Sequence, residues 1–156
     1  MRGLTQRLSQ TIGELYSPSC RATLGDSRCK ISLASHTVTG SVTGAVSNQE
    51  FKDSSRTELS GIYTFGLIEF TNGANNGLSM ELKDYLFKSG SGGTITLALP
   101  MPFTINTGDT YSLSKGCDKT IKTCFERFNN VLNFRGEPAV PGLDRILETA
   151  GTRTNW

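Results

Sequence analysis

The placement of the cysteines constrains this chain more than any other feature. There are four, Cys20, Cys29, Cys117 and Cys124, one pair toward each end, with Cys29 and Cys117 separated by 88 positions. A single centre held by all four would tie an N-terminal loop to a C-terminal helix. A crosslink between positions so far apart removes much chain entropy. The first ten residues, Met1 to Gln10, lack the hydrophobic core of a signal peptide, so the expectation is a chain made in the cytosol and not exported by that route. In a reducing compartment, four cysteines in two clusters point more to metal than to disulfides. The alternatives are four unrelated buried thiols, or local disulfides Cys20–Cys29 and Cys117–Cys124. Two turns of helix would strain the second of those bridges.

The spacings are Cys-x8-Cys and Cys-x6-Cys. Zinc ribbons and fingers use knuckles of roughly two to four intervening residues, which bring two sulfurs to about 2.3 Å from one ion. Neither pair here has a knuckle, so zinc is open but unsupported. Cys117 and Cys124 are seven positions apart and share a helical face. A continuous helix would separate them by about 10.5 Å along its axis, wide for one ion. The span is easier if Cys117 sits just ahead of the helix and the object held is larger, as an iron–sulfur cubane is, each thiolate taking a different iron. Arg21, Arg28, Lys30, Lys115, Lys119, Lys122 and Arg127 outnumber Asp26, Asp118 and Glu126 around the cysteines. That excess suits an anionic cluster, or simply solubilises a loop and a helix.

The 156 residues predict one domain, 1–156, with 1–30 and 115–156 as cysteine-bearing flanks around a β-rich insert at 31–114. Hydrophobic residues are 36% and charged residues 19%, below the norms of about 45% and about 25%. Glycine, serine, threonine and asparagine fill the difference and favour strands and turns. The fold class expected is α+β, a mostly antiparallel block with short helices near both ends. Leu4, Leu8, Ile12 and Leu15 predict a helix over about 4–15 that Ser17-Pro18 ends. Val38, Val42 and Val46 fall at even steps, and strands are also expected at 62–70, 78–87, 94–98 and 111–113. Residues 47–58 read as a polar, exposed connection. Ile121, Cys124, Phe125 and Phe128 form one stripe of a helix over 118–128, with Asp118 placed to cap it. A short helix is expected near 143–147.

Several functions are excluded at this level. A net charge of +2 and a pI near 8.4 give no field to draw in nucleic acid or an anionic membrane. The longest apolar stretch, Ile95 to Phe103, is broken by Thr96, Pro100 and Pro102 and falls short of the roughly 20 residues of a membrane span. His36 is the only histidine, and it has no cysteine or paired acid near it in sequence to form a nucleophile pair. Glu81 and Asp84 read as strand and turn surface. Gly90 to Gly93 lacks the Lys-Ser/Thr of a phosphate loop and reads as a turn. The expectation is no enzyme.

The run Gly116-Cys-Asp-Lys-Thr-Ile-Lys-Thr-Cys124, followed by Phe125-Glu-Arg-Phe-Asn-Asn-Val-Leu-Asn-Phe-Arg-Gly-Glu-Pro138 and Val140-Pro-Gly-Leu-Asp144, resembles the C-terminal signature of a family of tail proteins. These occur in siphophages, prophages and gene transfer agents. Tyr16 to Cys29 and Leu97 to Phe103, with Gly108-Asp109, fit the same family, so the resemblance spans about residues 14–148. The family is similar to the C-terminal part of the lambda-type minor tail protein L. The resemblance implies a 4Fe-4S cluster on Cys20, Cys29, Cys117 and Cys124. It further implies a structural role in the virion tail tip or baseplate hub, assembled in the host cytoplasm. The partners it implies are the distal tail protein and the central fibre or tip protein, in a homotrimer. Family members usually carry a further N-terminal hub domain, whereas this chain begins almost at the first cysteine segment. Asn133, Phe134, Arg135 and Gly136 are expected to support the cluster or a subunit interface, Arg135 through a guanidinium that donates to sulfur or carbonyls. The alternative is a cytosolic zinc- or iron–sulfur-binding redox or adaptor protein.

Overall fold

The computed structural model describes residues 16–139. The helices expected at 4–15 and near 143–147 lie outside the described residues. Seven strands dominate: β1 (Thr37–Ser41), β2 (Gly44–Ala45), β3 (Glu50–Asp53), β4 (Leu67–Phe70), β5 (Ser79–Lys88), β6 (Gly92–Leu97) and β7 (Thr110–Ser114). They form one sheet in the order β1-β7-β4-β5-β6-β3-β2, with every pairing antiparallel. The two ends of that order, β1 and β2, are separated along the chain only by Val42 and Thr43. One nearly continuous segment therefore pairs with β7 in its first half and β3 in its second, and the sheet closes on itself. Closure removes the edges that an open sheet must protect.

Alternation of side chains puts one set of residues inside. Phe51, Ile68, Phe70, Leu82, Tyr85, Ile95, Leu97, Tyr111 and Leu113 are fully buried and make one core. Phe51 packs at ring-centroid distances of 6.0 Å from Phe70 and 5.4 Å from Tyr111, and Tyr63 stands edge-on to Tyr85 at 4.9 Å. Such pairs add about 0.5–1.5 kcal/mol each beyond the area they bury. The strand expected from Leu78 onward keeps its alternation only to Leu82. A register shift between Leu82 and Asp84 then brings Tyr85 inward instead of an even-numbered neighbour, as a bulge does.

Three expectations need correction. Among the described residues the fold is β-rich and helix is minor, so residues 16–139 read as an antiparallel β fold more than as an α+β layout. Residues 47–58 are more than a polar connection, because they contain β3, with Phe51 and Asp53 fully buried. Asp53 can be buried because its carboxylate accepts from the Tyr111 hydroxyl at 2.5 Å and from Ser55 N and Oγ at 2.9 and 2.6 Å. Residues 62–70 contribute a strand only from Leu67. Before it, Gly61 and Phe65 hold positive φ values of 80° and 64°, and turns carry Tyr63 inward while Phe65 stays exposed. Among the described residues no helix is long and apolar enough to cross a membrane.

The one α-helix among the described residues, α1, spans Ile121–Glu126. Its cap is Thr120, whose side chain accepts from Thr123 N. Asp118 acts one step earlier, accepting from Thr120 N and Oγ1 at 3.0 and 2.9 Å. The expected apolar stripe divides: Cys124 and Phe128 are buried, and Ile121 and Phe125 are exposed. Arg127 joins α1 to the barrel by donating to the carbonyls of Ile62, Gly116 and Gly61 at 3.1, 2.5 and 3.3 Å.

Candidate functional site

The cysteine flanks meet on one end of the barrel. The first loop is organised by Asp26, whose carboxylate accepts from the backbone N–H groups of Thr23, Arg28 and Cys29 at 2.9, 2.9 and 2.6 Å. The Cys29 and Thr23 donors hold its carboxyl below the usual range. This fixes Cys29 through its own backbone, and Lys30 then reverses the chain at a φ of 61°.

The second pair is positioned by close backbone approach. A Cβ on Gly116 would strike the Thr64 carbonyl and come within 2.7 Å of Gly66 N. Only glycine fits where the chain leaves β7, and Cys117 follows at once. Because α1 begins at Ile121, Cys117 lies ahead of the helix and Cys124 within it. The distance along a continuous helix therefore does not apply.

The two flanks are then laced together. Cys20 N donates to Lys119 O at 2.8 Å, Arg21 N to Arg135 O at 3.1 Å, and Glu137 N to Ser17 O at 2.8 Å. The Lys119 ammonium donates to the Ala22 carbonyl. Arg21 forks onto Glu137, Nη1 to Oε2 at 2.5 Å and Nη2 to Oε1 at 2.7 Å, the paired geometry that guanidinium and carboxylate favour. Those bonds, with a donor from Ser17 N, bring the Glu137 carboxyl down to about 2.

All four cysteines line one pocket. They are free thiols, with Cys124 buried and the others partly so. Ala22, Leu24, Ile31 and Phe128 form the apolar wall, and Thr120, Asn130 and Asn133 the polar one. Burial pushes up the Cys117 and Cys124 thiols, and Cys117, Cys20 and Cys29 add to the effect at Cys124. A metal that bound them as thiolates would have to displace protons. Two donors already reach sulfur: Arg135 N to Cys20 Sγ at 3.4 Å and Asn130 Nδ2 to Cys29 Sγ at 3.7 Å. Among the described residues no group of three or more His, Cys, Asp or Glu is placed to hold one metal ion.

The residues singled out beside the cysteines do not all reach this pocket. Asn133 lines it and donates to Asn130 Oδ1 at 2.7 Å. Arg135 is exposed, and the contact it makes with Cys20 is through its backbone N–H. Gly136 lets the second strand of the lacing close, since a Cβ there would stand 2.8 Å from the Ser19 backbone. Phe134 follows the 3-10 turn Val131–Asn133, and its backbone N–H donates to the Val131 carbonyl. Asn130, Asp26 and Glu137 were not legible as site residues, because isolated polar residues in a loop carry no periodic signal. His36 packs edge-on against Phe128 at 5.2 Å, with burial and then Lys115 lowering its pKa. Glu81 lies on the exposed side of β5.

A closed barrel with all four cysteines lining one pocket at its end defines a small β-barrel protein with a candidate metal centre. The chain belongs to the family described as phage conserved hypothetical protein BR0599, which it matches over residues 61–144, more than half its length. Residues 1–32 match the N-terminal attachment domain of a baseplate hub protein. Cys20 and Cys29 lie in the second match, Cys117 and Cys124 in the first. No curated protein matches the chain. Among solved structures it is similar to a chain in the virion of a native gene transfer agent particle, with 29% identity and a TM-score of 0.80. The likeness covers 99% of this chain and 54% of that one, so this chain spans about half the length of its virion relative.

Proposed function

We propose that this protein is a structural component of the tail-tip baseplate hub of a long-tailed phage or phage-like particle. It joins the tail tube to a central fibre or receptor-binding assembly, acts without catalysis, and is assembled in the host cytoplasm. The observation that carries the reading is the likeness to the gene-transfer-agent virion chain along 99% of this chain. The baseplate-hub attachment match at residues 1–32 supports it independently. Exposed apolar side chains beside the cysteine pocket, Phe125 and Leu132 among them, suit a surface that meets other tail proteins. The partners are the distal tail protein and the central fibre or tip protein, and the hub is a homotrimer.

The site's part in this reading is to hold a 4Fe-4S cluster on Cys20, Cys29, Cys117 and Cys124. What supports it is the all-sulfur donor set gathered in one pocket, the apolar walls and the two N–H donors that reach sulfur. A cubane asks each thiolate for a separate iron, whereas zinc asks all four for one position. When bound, the cluster supplies a crosslink, and its binding free energy becomes folding free energy. The chain's own residues do the rest: Asp26 sets Cys29, Gly116 sets Cys117, and Arg21–Glu137 closes the lacing. Mass spectrometry of purified particles, with iron and acid-labile sulfide assays on anaerobically prepared protein, tests both halves. Absence from the particle overturns the hub reading. A colourless protein with zinc and no sulfide overturns the cluster.

A further inference from the structure

Asn130 touches both cysteine pairs. Its backbone N–H donates to the Cys124 carbonyl at 3.0 Å. Its side-chain Nδ2 donates to the Cys29 carbonyl at 2.6 Å and lies 3.7 Å from Cys29 Sγ. The amide is not free to turn over, because Oδ1 accepts from Asn133 Nδ2 at 2.7 Å. That bond keeps the oxygen away from Cys29 and the NH2 toward it, which fixes the amide assignment by the network. The preceding residue, Asn129, holds a φ of 48°, the left-handed region that asparagine enters more readily than most side chains. The chain thus reverses just after α1 and delivers Asn130 back over the pocket.

We infer that Asn130 is a positioning residue of the metal centre. It orients Cys29 and donates to its sulfur, so that it tunes the charge the centre carries. The inference rests on the cluster reading given above. A donor to a ligating sulfur favours the state with more negative charge on the sulfurs, which is the reduced one. Removing it should make the centre harder to reduce. Asn130→Asp keeps the size and the acceptor for Asn133 but turns an oxygen, and a negative charge, toward the Cys29 carbonyl and sulfur. Asn130→Ser replaces the amide with a shorter hydroxyl and so withdraws the Nδ2 donor from Cys29 without adding charge.

The experiment uses the full chain, purified anaerobically and reconstituted with iron and sulfide. Circular dichroism serves as the folding control, and iron, sulfide, absorbance spectra and midpoint potential are read for each form. At an applied potential equal to the parent's midpoint, Asn130→Asp should hold about ten times less reduced centre than oxidised, a shift of about 59 mV for one electron. Asn130→Ser should shift the same way by less, at full iron content. A purely structural asparagine would lower occupancy or stability and leave the potential of the loaded fraction where it was. Potentials and spectra unchanged in both variants at full occupancy overturn the inference. If the parent chain itself takes up no iron and sulfide, the cluster reading fails first, and the two failures are distinct.

Discussion

Removing one hydroxyl from the barrel core should be costly. Tyr111 and Asp53 are both fully buried, and the phenol donates to Asp53 Oδ2 at 2.5 Å. In Tyr111→Phe that oxygen keeps only Arg56, whose Nε stands 3.5 Å away, while Ser55 serves the other oxygen. The ring is retained, so the packing against Phe51 is retained too. A hydrogen bond to a charged group contributes about 1.5–3 kcal/mol, and an unsatisfied buried oxygen puts the loss toward the upper end. For a chain of this size each kcal/mol moves Tm by about 2–4 °C, so a fall of about 5–10 °C is expected at neutral pH. The pH dependence is a second check. Burial raises the Asp53 carboxyl, but hydrogen bonds from Ser55 and Tyr111 and the charge of Arg56 outweigh it and hold the pKa below its ordinary value. A depressed carboxyl stabilises the fold above its unfolded pKa and loses that contribution as pH falls through the folded one. Without the phenol the depression is smaller, so the gap between parent and variant should narrow below about pH 4. Thermal unfolding followed by circular dichroism across pH 3–7 reads both effects. A Tm loss under about 2 °C at pH 7, less than one kcal/mol on the same scale, or a gap that widens in acid, refutes the reasoning.

Three further outcomes follow from the pocket. Replacing any one of Cys20, Cys29, Cys117 or Cys124 by serine should lower iron and sulfide together and lower Tm. Pairwise behaviour mimicked by reductant would instead indicate disulfides. Gly116→Ala forces a Cβ into the Thr64 carbonyl and should cost about 1–3 kcal/mol, read as a lower Tm. Its failure to change Tm would mean the approach at Gly116 is looser than described. Arg135→Ala should leave iron content at the parent level, since it is the backbone N–H of Arg135 that reaches Cys20. Loss of iron in that variant would assign the guanidinium a role.

How much of this was legible beforehand can be followed residue by residue. The middle block, the β5–β6 hairpin and the placement of Cys117 and Cys124 around a helix all rest on local rules. Alternation at Leu78, Met80 and Leu82, glycines at a turn, and apolar residues three and four apart on α1 are visible one segment at a time. The strand at Glu50–Asp53 was hidden because a buried aspartate looks like surface until its partners, Tyr111 and Arg56, are known. The helix cap moved from Asp118 to Thr120 because Lys119 adopts a φ of 65°, which no propensity rule would place at a lysine.

The sequence by itself determined which atoms are available: four sulfurs in two pairs, a strand-rich middle, and glycines where backbones must approach. Those follow from composition and short-range pattern, whose energetics act within a few residues. The tertiary structure decided that β1 and β2 close the sheet, that the two flanks lace together on one end, and that Asn130 reaches from Cys124 to Cys29. Those depend on contacts between residues far apart in the chain, 69 to 77 positions for β1 with β7 and 101 for Asn130 with Cys29. Long-range contacts of that kind leave no periodic trace in a single chain, because they are selected by shape and hydrogen-bond satisfaction once the barrel has formed.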